Sequence, residues 1–206
     1  MPKHQVKHTA DAKPDKKAQR NFTDPESTIA KASNGGFDQS YNGQAMVEEV
    51  LNLIVAQELS NQPADSQHMV PMVERTIDVL GRAPSTVTAD AGYTSASNVE
   101  GVEALGATPY MPTERERRTG PPPQAVEGAP PKDAPPLGRL AHRMKTATGL
   151  ERMRKRKSTV ELVFGNIKHA IGFRQFHLRG IQKARGEWTL VCIAYNIRKI
   201  FTALMG

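Results

Sequence analysis

The chain has 206 residues, enough for one domain of ordinary size, and its single cysteine, Cys192, excludes an intramolecular disulfide. No stretch approaches the roughly 18 consecutive apolar residues of a membrane span, and the charged segment 1–20 lacks the apolar core of a signal peptide. These features argue against a disulfide-stapled or membrane-spanning protein and fit a cytoplasmic one.

The net charge of +7 is unevenly distributed along the chain. Residues 1–20 carry +4 and residues 21–112 carry −9, whereas residues 139–206, with fifteen Lys or Arg against three Glu, carry +12. A strongly basic segment with long apolar helices indicates a surface for a polyanion, with nucleic acid as the first candidate. The alternative is a solvated basic face that binds nothing specific.

In chain order, residues 1–22 have no apolar periodicity and are predicted to form a flexible basic arm. Residues 23–27, with a proline followed by an acid, indicate a turn or the start of a helix. The two short runs 41–47 and 51–59 predict a β-hairpin. Apolar residues at helical spacing predict a helix over 69–80.

A strand is then predicted over 85–89, followed by a helix over 95–105 that stops at Gly106 and by a short strand over 108–111. Residues 23–112 would thus form the central part of the domain. Strands alternating with helices predict an α/β arrangement with a mixed sheet.

Residues 113–138 are predicted to form a long Pro-rich surface loop, because nine prolines fall between positions 109 and 136 and no apolar periodicity is present. The basic part that follows, 139–206, contains two strongly predicted helices, over about 151–171 and about 185–204.

Asp90 is the first candidate for chemistry, because it follows the predicted strand 85–89 and precedes Gly92. Carboxylates at strand ends of open α/β sheets line ligand crevices. A lone acid in such a position is also a common turn former, and the pattern by itself favours that alternative.

Glu161 is the second candidate, and the helical wheel places it at the rim of a buried stripe formed by Val160, Phe164, Ile167 and Ile171. Gly165 and Lys168 share its face. A glycine inside a helix costs about 1 kcal/mol, which suggests close approach of a backbone or a ligand. The alternative is a solvated face with an incidental glycine.

The motifs that contain these two acids resemble those of the Asp-Asp-Glu transposases of bacterial insertion sequences. The resemblance rests on several segments in the family's order. They are the stretch 23–44 ending in Tyr41-Asn42-Gly43-Gln44, Ala89-Asp90-Ala91-Gly92-Tyr93, the helix 159–168, and 172–188 with Gly172-Phe173-Arg174-Gln175-Phe176, Arg179-Gly180 and Gly186-Glu187-Trp188.

The resemblance implies a ribonuclease H-like fold in which Asp90 is the second catalytic acid and Glu161 the third, with both acids binding Mg²⁺ or Mn²⁺. It also implies metal-dependent cleavage and strand transfer at the terminal inverted repeats of an insertion sequence. The cations expected to contact DNA are Arg154, Arg156, Lys157, Lys168, Arg174 and Arg179. The expected partners are DNA and a second copy or a full-length transposase, with no membrane and a cytoplasmic, nucleoid-associated location.

The sequence departs from the family pattern at three points. Met153 stands where the family usually has Tyr, and Leu162 where it has Pro. The family's first acid ends a strand upstream of residue 23, and the only nearby substitutes, Asp24 and Asp38, lie in turn-like contexts. We therefore expect the first strand and acid to be missing and the chain alone not to cleave DNA.

Three functions remain open on the sequence. The first is a metal-dependent strand-transfer enzyme, and the second is an inactive remnant that binds DNA or pairs with a transposase. The third is a product without activity.

Overall fold

The computed structural model describes residues 21–31, 35–113, 125–131 and 133–205. The strands are β1 Thr28–Lys31, β2 Phe37–Ser40, β3 Asn42–Val47, β4 Ile54–Ser60, β5 Thr86–Thr88 and β6 Thr108–Tyr110. The α-helices are α1 Met69–Leu80, α2 Ala96–Ala104, α3 Pro136–Lys145, α4 Ala147–His169 and α5 Ile181–Met205. Asp65–Gln67 and Ala91–Tyr93 each form a single 3₁₀ turn.

The predicted hairpin is confirmed: β3 and β4 pair antiparallel from Asn42↔Ser60 to Val47↔Ile54. Its turn is organised by Glu48, whose carboxylate accepts the backbone N–H groups of Val50, Leu51 and Leu53 at 2.8–2.9 Å. Burial alone would raise the pKa of Glu48, but these three backbone donors outweigh it and lower the pKa.

The predicted helix over 69–80 is α1, and the strand–helix–strand pattern after it is β5–α2–β6, with the two strands parallel. Ser95 begins α2 by accepting the backbone N–H of Asn98 at 3.1 Å. Gly106 ends this segment with φ +82°, a conformation that favours glycine. This parallel unit places Asp90 two residues past the end of β5, whose central residue Val87 is buried.

Two apolar clusters form the core. One lies between β4, α4 and α5, and includes Leu59, Val163, Ile167 and Trp188. The other lies among α1, α2, α3, β5 and β6, and includes Val73, Val99, Val102, Met111 and Leu140. Helix α4 contributes to the first cluster on the predicted stripe, where Phe164 stacks on Trp188 with ring centroids 6.0 Å apart.

One strand prediction was wrong, and one strand pair was not predicted. Instead of one mixed sheet, the described residues form three two-stranded ladders, β1–β2, β3–β4 and β5–β6, of which only the last is parallel. The antiparallel pair β1–β2 was not predicted, because β2 is largely exposed and has no apolar alternation. Before it, residues 23–27 form a turn, closed by Ser27 N–H donating to the Asp24 carbonyl, and not a helix start.

The boundaries of the carboxy-terminal part also differ from the prediction. Helix α3 was missed, and Pro136–Lys145 therefore shortens the predicted loop 113–138 at its end. The described residues 125–131 have no helix or strand, but Val126 N–H donates to the Lys145 carbonyl at 2.9 Å. Residues 114–124 and 132 of the loop lie outside the described residues, as do residues 1–20 of the predicted arm.

The corner between α3 and α4 is unusually close. Thr146 begins α4, and its hydroxyl accepts the backbone N–H of Gly149 at 3.1 Å. A Cβ atom on Gly149 would overlap the carbonyl oxygen of Arg143 and lie 2.9 Å from the Cα of Met144. The absence of a side chain at Gly149 therefore lets the first turn of α4 pack onto the end of α3.

Candidate functional site

Asp90 lies where the parallel strand β5 ends, as the sequence predicted. The ladder continues one residue past β5, because Ala89 N–H donates to the Tyr110 carbonyl at 3.0 Å. Asp90 then precedes the 3₁₀ turn Ala91–Tyr93, in extended conformation. Its side chain is 64% exposed, so the carboxylate points away from the core.

Asp90 and Glu161 line the same cavity, of about 340 Å³, between β3, β5 and α4. The apolar part of its wall comes from both core clusters, with Met69 and Val87 on one side and Phe164 on the other. Glu161 is exposed on the rim face of α4. Two carboxylates that are far apart in sequence therefore face one solvent-accessible space.

Arg156 occupies a position that the sequence did not predict. It was expected to contact DNA, but its guanidinium pairs with Asp90 and its side chain is only 10% exposed. Both residues line the cavity. Arg156 is therefore a largely covered counter-charge to Asp90 and not a free surface cation.

Asp65 is a third carboxylate in the wall of this cavity, and sequence reasoning missed it. Its Oδ1 accepts from Asn42 Nδ2 at 2.9 Å and from Gln44 Nε2 at 3.1 Å. A Cβ on Gly92 would lie 3.2 Å from Asp65 Oδ2, so this carboxylate also packs against the turn after Asp90. The sequence contained one signal for such a residue. Asn42 and Gln44 lie on one face of a largely covered strand, and polar side chains in that position need a hydrogen-bonding partner.

Tyr93 and Asn98 join the same network. The Tyr93 hydroxyl donates to Gln44 Oε1, and burial, with the nearby Asp65 charge, raises the pKa of Tyr93. Asn98 Nδ2 donates to the carbonyls of Ser66 at 2.8 Å and Tyr93 at 2.7 Å. The two 3₁₀ turns are thereby linked, which fixes the backbone that carries Asp90.

The remaining predicted DNA-contacting cations lie elsewhere. Lys168, Arg174 and Arg179 line a second cavity of about 900 Å³, together with the rings of Phe173 and Phe176. Lys168 was expected on the face of Glu161, but it is not in the wall of the cavity that Glu161 lines. Phe164 lines both cavities and lies between them. Arg154 is exposed on α4, and the side chain of Lys157 lies outside the described residues.

Asp24 and Asp38, the nearby acids considered for the first catalytic position, also line the second cavity and not the first. Asp24 is buried and accepts the Tyr41 hydroxyl at 2.7 and 2.9 Å and the Gly180 N–H at 3.2 Å. The contact is structural, because it fixes the chain before β1 against the start of α5. Burial, followed by the hydrogen bond to Asp24, raises the pKa of Tyr41.

The glycine on the Glu161 face, Gly165, has open space around it among the described residues. A Cβ atom there would meet no atom of them within 4 Å, so none of their backbone makes the close approach that was one of the alternatives for this glycine. Across the described ranges, no three His, Cys, Asp or Glu side chains are grouped so that they could hold a metal ion. In that same part of the chain, no helix is long and apolar enough to cross a membrane.

A family model described as Transposase DDE domain matches residues 6–197, which is most of the chain. No curated protein matches the sequence, and no solved structure does so. The matched range includes both Asp90 and Glu161.

Proposed function

The chain belongs to the transposase DDE domain family, and from this premise we propose that it acts in metal-dependent cleavage and strand transfer of DNA at the ends of an insertion sequence. The observation that carries the proposal is the cavity shared by Asp90 and Glu161. The family gives the general function, transposition, and the cavity suggests where its chemistry occurs.

We assign the catalytic and metal-binding roles to Asp90 and Glu161. Carboxylate oxygens are the ligands that Mg²⁺ and Mn²⁺ prefer, and both acids are accessible from solvent at one cavity. A divalent cation held there would neutralise the charge that develops on a DNA phosphate. The described residues fit such a cation only in part, because Oδ1 of the third acid, Asp65, is committed to two side-chain amides.

The proposed architecture is ribonuclease H-like. An antiparallel hairpin, β3–β4, followed by helix α1 and the parallel unit β5–α2–β6 is compatible with such a fold. In this arrangement an acid at the end of β5 and an acid on the later helix α4 belong to different elements, as convergence at one site requires.

The proposed substrate contact is electrostatic. Lys168, Arg174 and Arg179 are exposed around the second cavity, next to the carboxylates across Phe164. Cations in this position would hold DNA phosphates close to Asp90 and Glu161. Proposed partners are the terminal inverted repeats and a second transposase chain, and the proposed location is the nucleoid in the cytoplasm, where such DNA lies.

A second candidate function is DNA binding without cleavage. It is favoured by the Asp90–Arg156 ion pair, in which a guanidinium already neutralises one of the two acids. In this case the basic carboxy-terminal part would still hold DNA or pair with an active transposase, and Asp90 would have a structural role.

The test is to incubate the purified chain with Mg²⁺ or Mn²⁺ and duplex DNA that carries the ends of the genetic element encoding it. Metal-dependent cleavage that is lost in both Asp90→Asn and Glu161→Gln, and kept in Asp78→Asn, an exposed acid on α1, supports the enzyme. Binding without cleavage, which is the result that the sequence predicts for this chain alone, supports the second candidate. Cleavage that persists in both site variants would overturn the assignment.

A further inference from the structure

Helix α5 has two apolar faces, and within the described part of the chain only one of them is covered. Trp188, Cys192 and Tyr195 lie in the first core cluster. On the other side, large apolar side chains stay between 45% and 78% exposed; they are Leu190, Ile193, Ile197, Ile200, Phe201, Leu204 and Met205. A helix that is apolar on both faces is normally covered on both.

The exposed residues follow the spacing of a coiled-coil seam. Leu190, Ile193, Ile197, Ile200 and Leu204 are separated by three, four, three and four positions, and are called here the α5 seam. Apolar residues with this repeat keep facing a partner helix of the same pattern. The α5 seam therefore has the geometry that one helix needs to pack along another.

The charges around the α5 seam are compatible with a second copy of the same chain. Residues 139–206 carry +12, which would make two copies repel each other if the charges flanked the contact. The flanking positions hold Ala194, Asn196, Phe201 and Ala203, all uncharged. Arg198 and Lys199 are neither seam nor flanking positions of the repeat. In a dimer, the charges of one copy therefore stay far from those of the other.

The area is also sufficient. The α5 seam with Phe201 and Met205 exposes an apolar surface on the order of the ~800 Å² that each partner contributes to a standard interface. Contiguous apolar patches of this size on soluble proteins mark interaction sites.

We infer that the α5 seam is a homotypic interface, at which α5 of one chain packs against α5 of a second copy. The inference identifies the surface that binds the second chain of the proposed function. The biological purpose of the interface rests on that proposed function, but the interface itself does not. It is testable without DNA or metal, so its failure and that of the proposed function are distinguishable.

The first test measures mass in solution by sedimentation velocity over a range of chain concentrations. Wild-type protein is expected to dimerise, and Ile197→Lys to raise the dissociation constant at least about tenfold, because an unpaired ammonium group would be buried. Val79→Lys is the matched control, since Val79 on α1 and Ile197 are both 62% exposed. A monomeric wild-type chain, or a dimer that Ile197→Lys leaves unchanged, would overturn the inference.

The second test does not depend on the lysine variant folding. Ile197→Cys places a thiol near the middle of the α5 seam, where it approaches its equivalent in the second copy, and a short bismaleimide should link two chains. The natural Cys192 is buried, and burial raises the pKa of its thiol to about 12, so it stays un-ionised. A yield of cross-linked dimer no greater than that of Val79→Cys would contradict the interface.

Discussion

Arg156 and Asp90 form an ion pair at the rim of the cavity that also contains Glu161. The pair joins the helix that carries one proposed metal ligand to the strand end that carries the other. Any cation that binds Asp90 must therefore compete with a guanidinium that is already in place.

We expect Arg156→Ala to bind Mn²⁺ more tightly than the wild type. An ion pair with an exposed partner contributes up to about 1 kcal/mol, so its removal should tighten binding by up to about fivefold. Isothermal titration calorimetry measures the change, with Arg154→Ala as the control because Arg154 is exposed on the same helix. Unchanged or weaker binding would show that Arg156 does not compete with the cation.

DNA binding should depend on the exposed cations of the second cavity. Neutralising Lys168, Arg174 and Arg179 to Gln should reduce the slope of log affinity against log salt by about one per residue, because each phosphate contact releases counterions. Fluorescence anisotropy at several salt concentrations gives the slope.

The control for this experiment is the double variant Arg152→Gln, Lys155→Gln. Arg152 is paired with Glu49 at 2.7 Å and Lys155 with Glu151 at 3.1 Å, so these cations are already neutralised within the protein. The double variant should change the slope less than the triple variant does. A larger effect of the double variant would move the DNA surface to the start of α4.

Asp65→Ala should destabilise the domain by about 1–3 kcal/mol, since two side-chain amides, of Asn42 and Gln44, lose their carboxylate acceptor in a half-buried site. Urea unfolding measures the loss. Asp78→Ala, at an exposed position of α1, should change stability by less than about 0.5 kcal/mol. Equal effects of the two variants would refute the network.

Alkaline pH should unfold the protein partly through Cys192, which is 3% exposed. Burial raises the pKa of this thiol to about 12, against about 8.5 in an unfolded chain. The thiolate therefore forms first in the unfolded state, and stability is complete below about pH 8.5 and falls above it, by at most about 1.4 kcal/mol per pH unit.

Urea unfolding of the wild type and of Cys192→Ala between pH 7.5 and about 9 tests this dependence. The range stays below the ordinary pKa of tyrosine, about 10, so Tyr41, Tyr93 and Tyr195 contribute little. The alanine variant should lose less stability than the wild type across the range, although it is less stable at neutral pH. Parallel curves would mean that another group is responsible.

The sequence predicted elements that have a local signal and missed elements that lack one or lie beside a misleading one. Hairpin β3–β4 and helix α1 were predicted because their signals are local periodicity and turn chemistry. The pair β1–β2 was not predicted, because it is exposed. Helix α3 was missed although Leu137, Leu140 and Met144 follow helical spacing, because the proline-rich loop was extended over its first turn to residue 138.

The same distinction applies to the site. Asp90 and Glu161 were selected from the motifs around them, and a helical wheel was sufficient to orient Glu161. The partners of Asp90 and of the β3 amides could not be predicted, because Arg156 and Asp65 reach them across the fold. Side-chain pairing between distant elements depends on a packing geometry that spacing in the sequence does not contain.

The close corner at Gly149 makes helix α4 a lever. Glu161 lies twelve positions further along, about 18 Å from the corner at 1.5 Å per residue. A side chain at position 149 would push α4 away from the Arg143 carbonyl, and a tilt of roughly 10° there would carry the Glu161 carboxylate about 3 Å. The absence of a side chain at position 149 thereby determines how the Glu161 carboxylate, more than three turns along α4, is aligned with the end of β5.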